Sequence, residues 1–265
     1  MRRFAGYLCA ALMFAVMIVS SSRVEGRDDP KEKKTYDCSV CDNEAYESTA
    51  NKALMYMHVA GVDEGMKEHR ARRFMVQGGT AFAFREHRKA PVRICTAWHV
   101  VAELREWNGT LFAVYLWNMH EIVPLVASCY NANADIVVLD FEDPDYEYQG
   151  SVLNLGDEKE LEKGDDVVAM GAPHSHLFMR TEGEFSFRGK EEGGANRFLH
   201  SALTAPGMSG GPVLDKTGLV IGVNISCYPD DHKHHSGMSV AAPVSDLKAM
   251  LEDERRKRKE KEKKK

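Results

Sequence analysis

From residue 74 onward the chain alternates short apolar runs with Gly, Asn, Asp and Pro: GGTAFAF (78–84), VRICTA (92–97), LFAVYLW (111–117), IVPLVASC (122–129), DIVVLDF (135–141), DDVVAMG (165–171), GEFSF (183–187), PVLD (212–215), GLVIGVNIS (218–226) and GMSVAAP (237–243). Runs of this length, rich in β-branched and aromatic residues and bounded by turn formers, predict strands. No long stretches of helical period lie between them to build βαβ units, so the body is expected to be antiparallel and all-β, closed by a helix over 246–254. Ahead of the body, Ala45, Tyr46, Ala50, Ala53, Leu54 and Met57 fall one, three or four residues apart, which predicts an amphipathic helix over 43–58 packed against it. No repeat of fixed period is present.

The two ends have a different character. Arg2 and Arg3 precede an uncharged run, 4–22, that offers no polar face at helical period. This is an export-signal pattern, and Ser20, Ser21 and Ser22 supply small residues for cleavage. The protein is therefore expected to be exported, periplasmic or secreted, with retention of the segment as a membrane anchor as the alternative. At the other end, residues 252–265 hold nine basic and five acidic residues, with the first acids ahead of the bases, as in a solvated, partly helical terminus. Across the whole chain 35 Lys and Arg face 40 Asp and Glu, a formal charge of −5, which argues against a nucleic-acid binder.

Of six cysteines, Cys9 lies in the signal, leaving Cys38, Cys41, Cys95, Cys129 and Cys227, five that cannot all pair within one chain. Cys38 and Cys41 form a C-x-x-C in a polar segment. A second pair of zinc ligands does not follow and a βαβ context for redox chemistry is lacking, so a structural bridge in an oxidising compartment is expected there, the other pairings staying open. The histidine-rich stretch 231–235 reads as a solvated loop rather than a metal site, and no metal or cofactor is expected. Asn108 opens a glycosylation sequon that has meaning only in a secretory-pathway host.

Three strings in the β-rich body carry chemistry. His99 follows a strand-like run in Thr96–Val101, Asp135 opens the strand 136–139, and Ser209 sits in Gly-Met-Ser-Gly-Gly-Pro with glycine on both sides. A serine hydroxyl becomes a nucleophile when an imidazole can take its proton, and a carboxylate fixes that imidazole's tautomer. Gly207 can adopt backbone angles closed to other residues, so that its N–H and that of Ser209 can converge on a developing oxyanion. Pro206 has no N–H to offer.

These strings, in this order, resemble the chymotrypsin-fold serine peptidases, closest to the HtrA (Deg) type. GGTAFAF resembles the opening strand of that family, CTAWHVV its histidine segment, ADIVVLDF its aspartate strand, GDDVVAMGAP its Gly-Asp segment, APGMSGGPVLDKTGLVIGVN its nucleophile segment and GMSVAAPVSDL its late strand. The resemblance covers about two thirds of the chain and implies two six-stranded antiparallel β-barrels with the site in the groove between them. It assigns the general base to His99, the orienting carboxylate to Asp135, the nucleophile to Ser209 and the oxyanion hole to the N–H groups of Gly207 and Ser209. On this basis the chain divides into a signal segment (1–22), an N-terminal extension with the C-x-x-C and the helix (23–73), a first barrel (74–150), a second barrel with its closing helix (151–251) and a charged tail (252–265).

The same family's spacing places Leu203 at the base of the pocket for the residue preceding the cut, with Thr204 and Ala205 beside it and Asn224 and Ile225 on the wall. None is acidic, so cleavage is expected after small or medium aliphatic residues of unfolded polypeptide rather than after Lys or Arg. Two departures stand out. The residue before the nucleophile is Met208 where the family has Asn, a change expected to be tolerated because the turn positions its backbone, and Trp98 beside the base is bulkier than usual. Asp140, Asp143 and Asp145 are rivals for the carboxylate. The alternatives are a protease-fold module that binds polypeptide without cutting it, and an α/β-hydrolase esterase, since GMSGG also satisfies G-x-S-x-G.

Overall fold

The computed structural model describes residues 53–62, 74–102, 110–115, 122–173, 179–191, 193–227 and 238–264. The signal segment, the Cys38–Cys41 pair, the sequon at Asn108 and the histidine-rich loop lie outside the described residues.

Six antiparallel strands form the first unit: β1 (Leu54–Val62), β2 (Phe74–Arg85), β3 (Arg93–Ala97), β4 (Thr110–Tyr115), β5 (Ile122–Asn131) and β6 (Ile136–Phe141). They pair in the order β1-β4-β5-β6-β3-β2, and β1 pairs β2 as well, so the ladder returns to its start. The two-residue β7 (Leu153–Asn154) adds to β2 in parallel. The second unit is a closed barrel of β8 (Asp166–Gly171), β9 (Met179–Lys190), β10 (Asn196–His200), β11 (Pro212–Asp215), β12 (Val220–Cys227) and β13 (Ser239–Pro243), in the order β10-β13-β12-β11-β8-β9. The expected all-β pair of barrels is thus present, the first with β7 appended.

Three apolar clusters explain why so many strands read as unbroken apolar runs. Met55, Met57, Ala81, Ala83, Val137 and Leu139 fill the first barrel. Their chain neighbours Leu54, Phe82, Phe84, Ile136 and Val138 point the other way, into a cluster shared with Val168, Met170, Leu214 and Val223 of the second barrel. Val167, Ala169, Phe198, Val213 and Ala241 fill the second barrel. Strands covered on both faces lose the alternation that marks a one-sided sheet.

Strand pairing corrects the sequence reading at residues 54–58. They open β1 and are not part of a helix; Ala53, just ahead of the strand, is helical as expected, and the rest of the predicted helix lies outside the described residues. Leu54 and Met55, adjacent in sequence, are both fully buried, in different clusters, a pattern that fits helical and two-faced strand periods equally. What decides is main-chain pairing with β2 on one side and β4 on the other. The first barrel therefore starts at β1, ahead of the boundary expected at residue 74.

After the second barrel the chain enters α2 (Val244–Glu262), which is longer than the expected 246–254. Its first turn receives the buried Glu158 carboxylate, which accepts the Ser245 N–H at 3.0 Å, a favourable charge at a helix N-terminus. Asp253 pairs with Arg256 and Lys257, and Glu254 with Arg258, so the acids ahead of the bases carry the helix on into the tail. Arg93, almost fully buried on β3, ties this helix to the first barrel. It donates to Glu254 at 2.6 and 3.3 Å, to Asp140 at 2.8 Å and to Ser128 at 2.7 Å.

Candidate active site

His99 lies in α1 (Trp98–Val101), a single turn that follows β3. Its start is held by one residue of the neighbouring β5–β6 turn. The Trp98 N–H donates to the Asp135 carbonyl at 3.1 Å, the His99 N–H to Asp135 Oδ1 at 2.8 Å, and the ring Nδ1 lies 2.7 Å from Asp135 Oδ2. A carboxylate can only accept, so Nδ1 carries the proton and Nε2 is left as an acceptor. The side chain of Asp135 is 14% exposed and that of His99 42%, so the acid is sheltered while the imidazole is open to solvent.

The grip of Asp135 has a backbone cost. Its φ is +59°, the only positive value at a non-glycine among the described residues, worth about 1–2 kcal/mol of strain. Asn131 Oδ1 helps to hold the turn by accepting the N–H groups of Asn133 and Ala134, each at 3.1 Å. Asp140 is engaged by Arg93, and Asp143 accepts the N–H of Asp145 in a local turn, so the rival carboxylates are committed elsewhere.

Ser209 sits in a turn ahead of β11 whose glycines are sterically required. Gly210 has φ +86°, and a Cβ there would lie 2.2 Å from the Thr80 carbonyl oxygen and 2.7 Å from the Ala97 nitrogen. The turn's hydrogen bonds run from the Met208 N–H to Ala205, from Gly210 to Asn224 and from Gly211 to Met208. Among the described residues, the N–H groups of Gly207 and Ser209 donate to no acceptor, which leaves both available to an incoming oxyanion. The Ser209 hydroxyl donates to the Ile225 carbonyl at 3.1 Å. Ile225 is the extra residue of a β-bulge, where the β12–β13 register shifts between Asn224 and Ser226.

Strand β2 brings the two halves together. A Cβ on Gly79 would lie 2.7 Å from the Val100 side chain of α1 and 3.0 Å from the Ser209 carbonyl oxygen, so the missing side chain sets how closely both can approach. Next to it, the Thr80 N–H donates to the Ser209 carbonyl at 2.8 Å, and the Thr80 hydroxyl to the Gly207 carbonyl at 2.7 Å. The Thr96 hydroxyl donates in turn to the Thr80 carbonyl at 2.7 Å. Both threonines are buried and lie in the GGTAFAF and CTAWHVV strings, which do not by themselves reveal these contacts.

A model of the trypsin-like peptidase domain matches residues 79–223, more than half of the chain. The chain belongs to the trypsin-like peptidase family. It is 34% identical over 114 residues to a probable periplasmic serine endoprotease, DegP-like, of Hahella chejuensis, a match covering 42% of this chain and 23% of that protein. It is 29% identical over 129 residues to the serine protease Do-like HtrA of Bacillus subtilis, covering 45% and 28%. The chain thus spans less than a third of the length of these curated relatives. Among solved structures it resembles the HtrA-type protease AlgWS227A with tripeptide, at a TM-score of 0.59 and 17% identity over 78% of this chain and 62% of the other.

Several expectations need adjustment. Leu203 is 65% exposed and does not form an enclosed pocket base: the Thr181 hydroxyl holds its carbonyl at 2.7 Å and the side chain stays outside the core. Asn224 is fully buried beneath the Ser209 turn, donating to the Met208 carbonyl at 3.3 Å. Thr204 pairs with the Ser239 hydroxyl at 2.9 Å, and Ala205 packs on the second-barrel core. The Met208 side chain is also fully buried in that core, so it anchors the turn in its own right. The bulky Trp98 ring beside the base stacks on Tyr130 with ring centroids 4.1 Å apart. Strand β11 follows Ser209 where a nucleophile elbow requires a helix, which removes the α/β-hydrolase reading. Among the described residues no group of His, Cys, Asp and Glu is arranged to hold a metal ion, and no helix is long and apolar enough to cross a membrane.

Proposed function

We propose that the protein is an exported serine endopeptidase in which His99, Asp135 and Ser209 form the catalytic triad. The observation that carries this reading is the double hold of one carboxylate on the His99 main chain and ring, with the glycine-framed Ser209 turn packed, like α1, against Gly79 of β2. As substrate enters, the Ser209 hydroxyl turns from the Ile225 carbonyl to His99 Nε2. The oxygen then attacks the scissile carbonyl carbon as its proton passes to the imidazole, and Asp135 stabilises the imidazolium. The N–H groups of Gly207 and Ser209 receive the oxyanion. His99 returns the proton to the departing amine, leaving an acyl-enzyme that water hydrolyses by the same steps.

The substrate in this reading is unfolded polypeptide. With Leu203 exposed and Asn224 buried beneath the turn, Thr204, Ala205 and Ile225 are left to flank the side chain before the cut; none of the five is charged, so a Lys or Arg side chain desolvated there would lack a counter-charge, a cost of several kcal/mol by general estimates. Small or medium aliphatic residues before the cut follow. The test is casein hydrolysis by the purified protein and by Ser209→Ala. Cleavage that disappears in the variant supports the reading; unchanged cleavage overturns it, and no cleavage by either favours a polypeptide-binding module. Mass spectrometry of the fragments tests the specificity, which a majority of cuts after Lys or Arg would refute.

A further inference from the structure

The turn that presents Asp135 is held from two sides, and only one of them belongs to its own barrel. On the amide side, Asn131 Oδ1 accepts the N–H groups of Asn133 and Ala134. On the carbonyl side the partner comes from β10 of the second barrel. Arg197 Nη2 donates to the Asn133 carbonyl at 3.0 Å, and Nη1 to the Ala134 carbonyl at 3.3 Å. The guanidinium is itself fixed, with Nε 3.2 Å from Glu191 Oε2 and Nη1 donating to the Asn196 carbonyl at 2.9 Å. Its side chain is mostly buried, and Ala134 is almost completely so.

We propose that Arg197 is a positioning residue for the reaction, holding from the second barrel the peptide planes that keep Asp135 in its grip on His99. The inference rests on the proposed triad. The Ala134 carbonyl belongs to the peptide bond whose nitrogen is that of Asp135, so the guanidinium fixes the plane from which the positive φ of Asp135 is measured. A residue at φ +59° drifts toward the extended region when its flanking peptides are free to rotate, and its carboxylate then leaves Nδ1. The fork geometry matters, because two carbonyls of consecutive residues match two N–H groups of one planar guanidinium. A lysine ammonium on its flexible stem presents no such fork. The same strand β10 leads through residues 201–206 to Ser209, so Arg197 couples the serine half of the site to its histidine and aspartate half.

The experiment compares Arg197→Ala, Arg197→Lys, Asp135→Asn and the double variant Arg197→Ala/Asp135→Asn, with kcat and KM resolved on one peptide substrate. The expected result is a kcat lowered about 10- to 100-fold in Arg197→Ala, the size of a small misplacement of catalytic groups, with KM changed less than threefold. Arg197→Lys recovers part of the loss, and the alanine substitution costs nothing further where Asp135 is already asparagine. Where Arg197→Ala fails to fold, Arg197→Lys is read by the downfield proton resonance of the His99 Nδ1–H, which weakens or vanishes if the inference holds. A kcat within threefold of wild type, a rise in KM alone, or the same fold-loss in the Asp135→Asn background overturns the proposal. Ser209→Ala serves as the control: if it keeps full activity the triad itself fails, whereas if it is inactive and Arg197→Ala is normal only the positioning role fails.

Discussion

Replacing Asp135 by asparagine exchanges one carboxylate oxygen for an amide nitrogen, and the geometry decides which one. Oδ1 faces the His99 main-chain N–H at 2.8 Å and Oδ2 faces Nδ1 at 2.7 Å. The main-chain N–H can only donate, so the remaining oxygen has to stay opposite it and the new NH2 group turns to the ring. Nδ1 must then accept, which moves the imidazole proton to Nε2, where it blocks transfer from Ser209. The loss expected is about 10⁴-fold in kcat, or roughly 5 kcal/mol at the transition state. The cost to folding should stay below about 1 kcal/mol, because the bond to the main chain survives. Initial rates of casein hydrolysis, measured beside urea unfolding of the same preparations, separate the two effects. A variant with the wild-type unfolding midpoint and activity within tenfold of wild type would refute the tautomer argument and the role of Asp135 together.

Three further outcomes follow from groups away from the cleft. Burial lowers the pKa of His200 from 6.5 to about 4, against the opposing influence of the Ala202 backbone and the Asn224 side chain, although neither completes a hydrogen bond to the ring. His200 is therefore neutral in the fold, and the unfolded chain binds the extra proton below about pH 6.5; this one group should cost roughly 2 kcal/mol of stability between pH 7 and pH 5. Urea titrations of His200→Phe should lack that increment, and an unchanged acid sensitivity would contradict it. Glu254→Ala leaves the buried Arg93 without its bidentate partner and should destabilise the protein by about 3 kcal/mol, whereas a change below 0.5 kcal/mol, read by the same titration, would show the pair to be dispensable. Burial, with Glu254 nearby, pushes the Cys129 thiol up to about 12, and burial raises that of Cys95 as well. Peptide mapping after iodoacetamide at neutral pH should find both unmodified in the folded protein, and rapid labelling of either would contradict that.

The site was more legible in the sequence than the strand that starts the first barrel. His99, Asp135 and Ser209 stand in short strings whose residue types have few other reasons to occur together, and the structure brings His99 and Asp135 into contact. Helical spacing misled at Leu54 and Met57, because a strand buried on both faces has no alternation to display. The roles of Thr80, Thr96, Arg93 and Arg197 are not legible in the segments that contain them, since their work lies in contacts 16 to 161 residues away along the chain, such as Thr96 to Thr80 and Arg93 to Glu254. Asn131 falls in the same class for the opposite reason: its turn is local, but such turns are so common that nothing separates it from any other asparagine after a strand. Side-chain direction at Leu203 and Asn224 is not legible from spacing, because it depends on Thr181 and on the bulge at Ile225.

The proposed peptidase requires Ser209 to be an activated nucleophile. A fluorophosphonate probe reacts with a serine only when a base removes its proton and donors receive the phosphoryl oxygen, so labelling reports the assembled site independently of any substrate. Incubation of the purified protein with the probe at neutral pH, followed by peptide mass spectrometry, should place a single adduct on Ser209, abolished in His99→Ala. An unlabelled Ser209 in protein that cleaves casein, or an adduct that persists in His99→Ala at the wild-type rate, would contradict it.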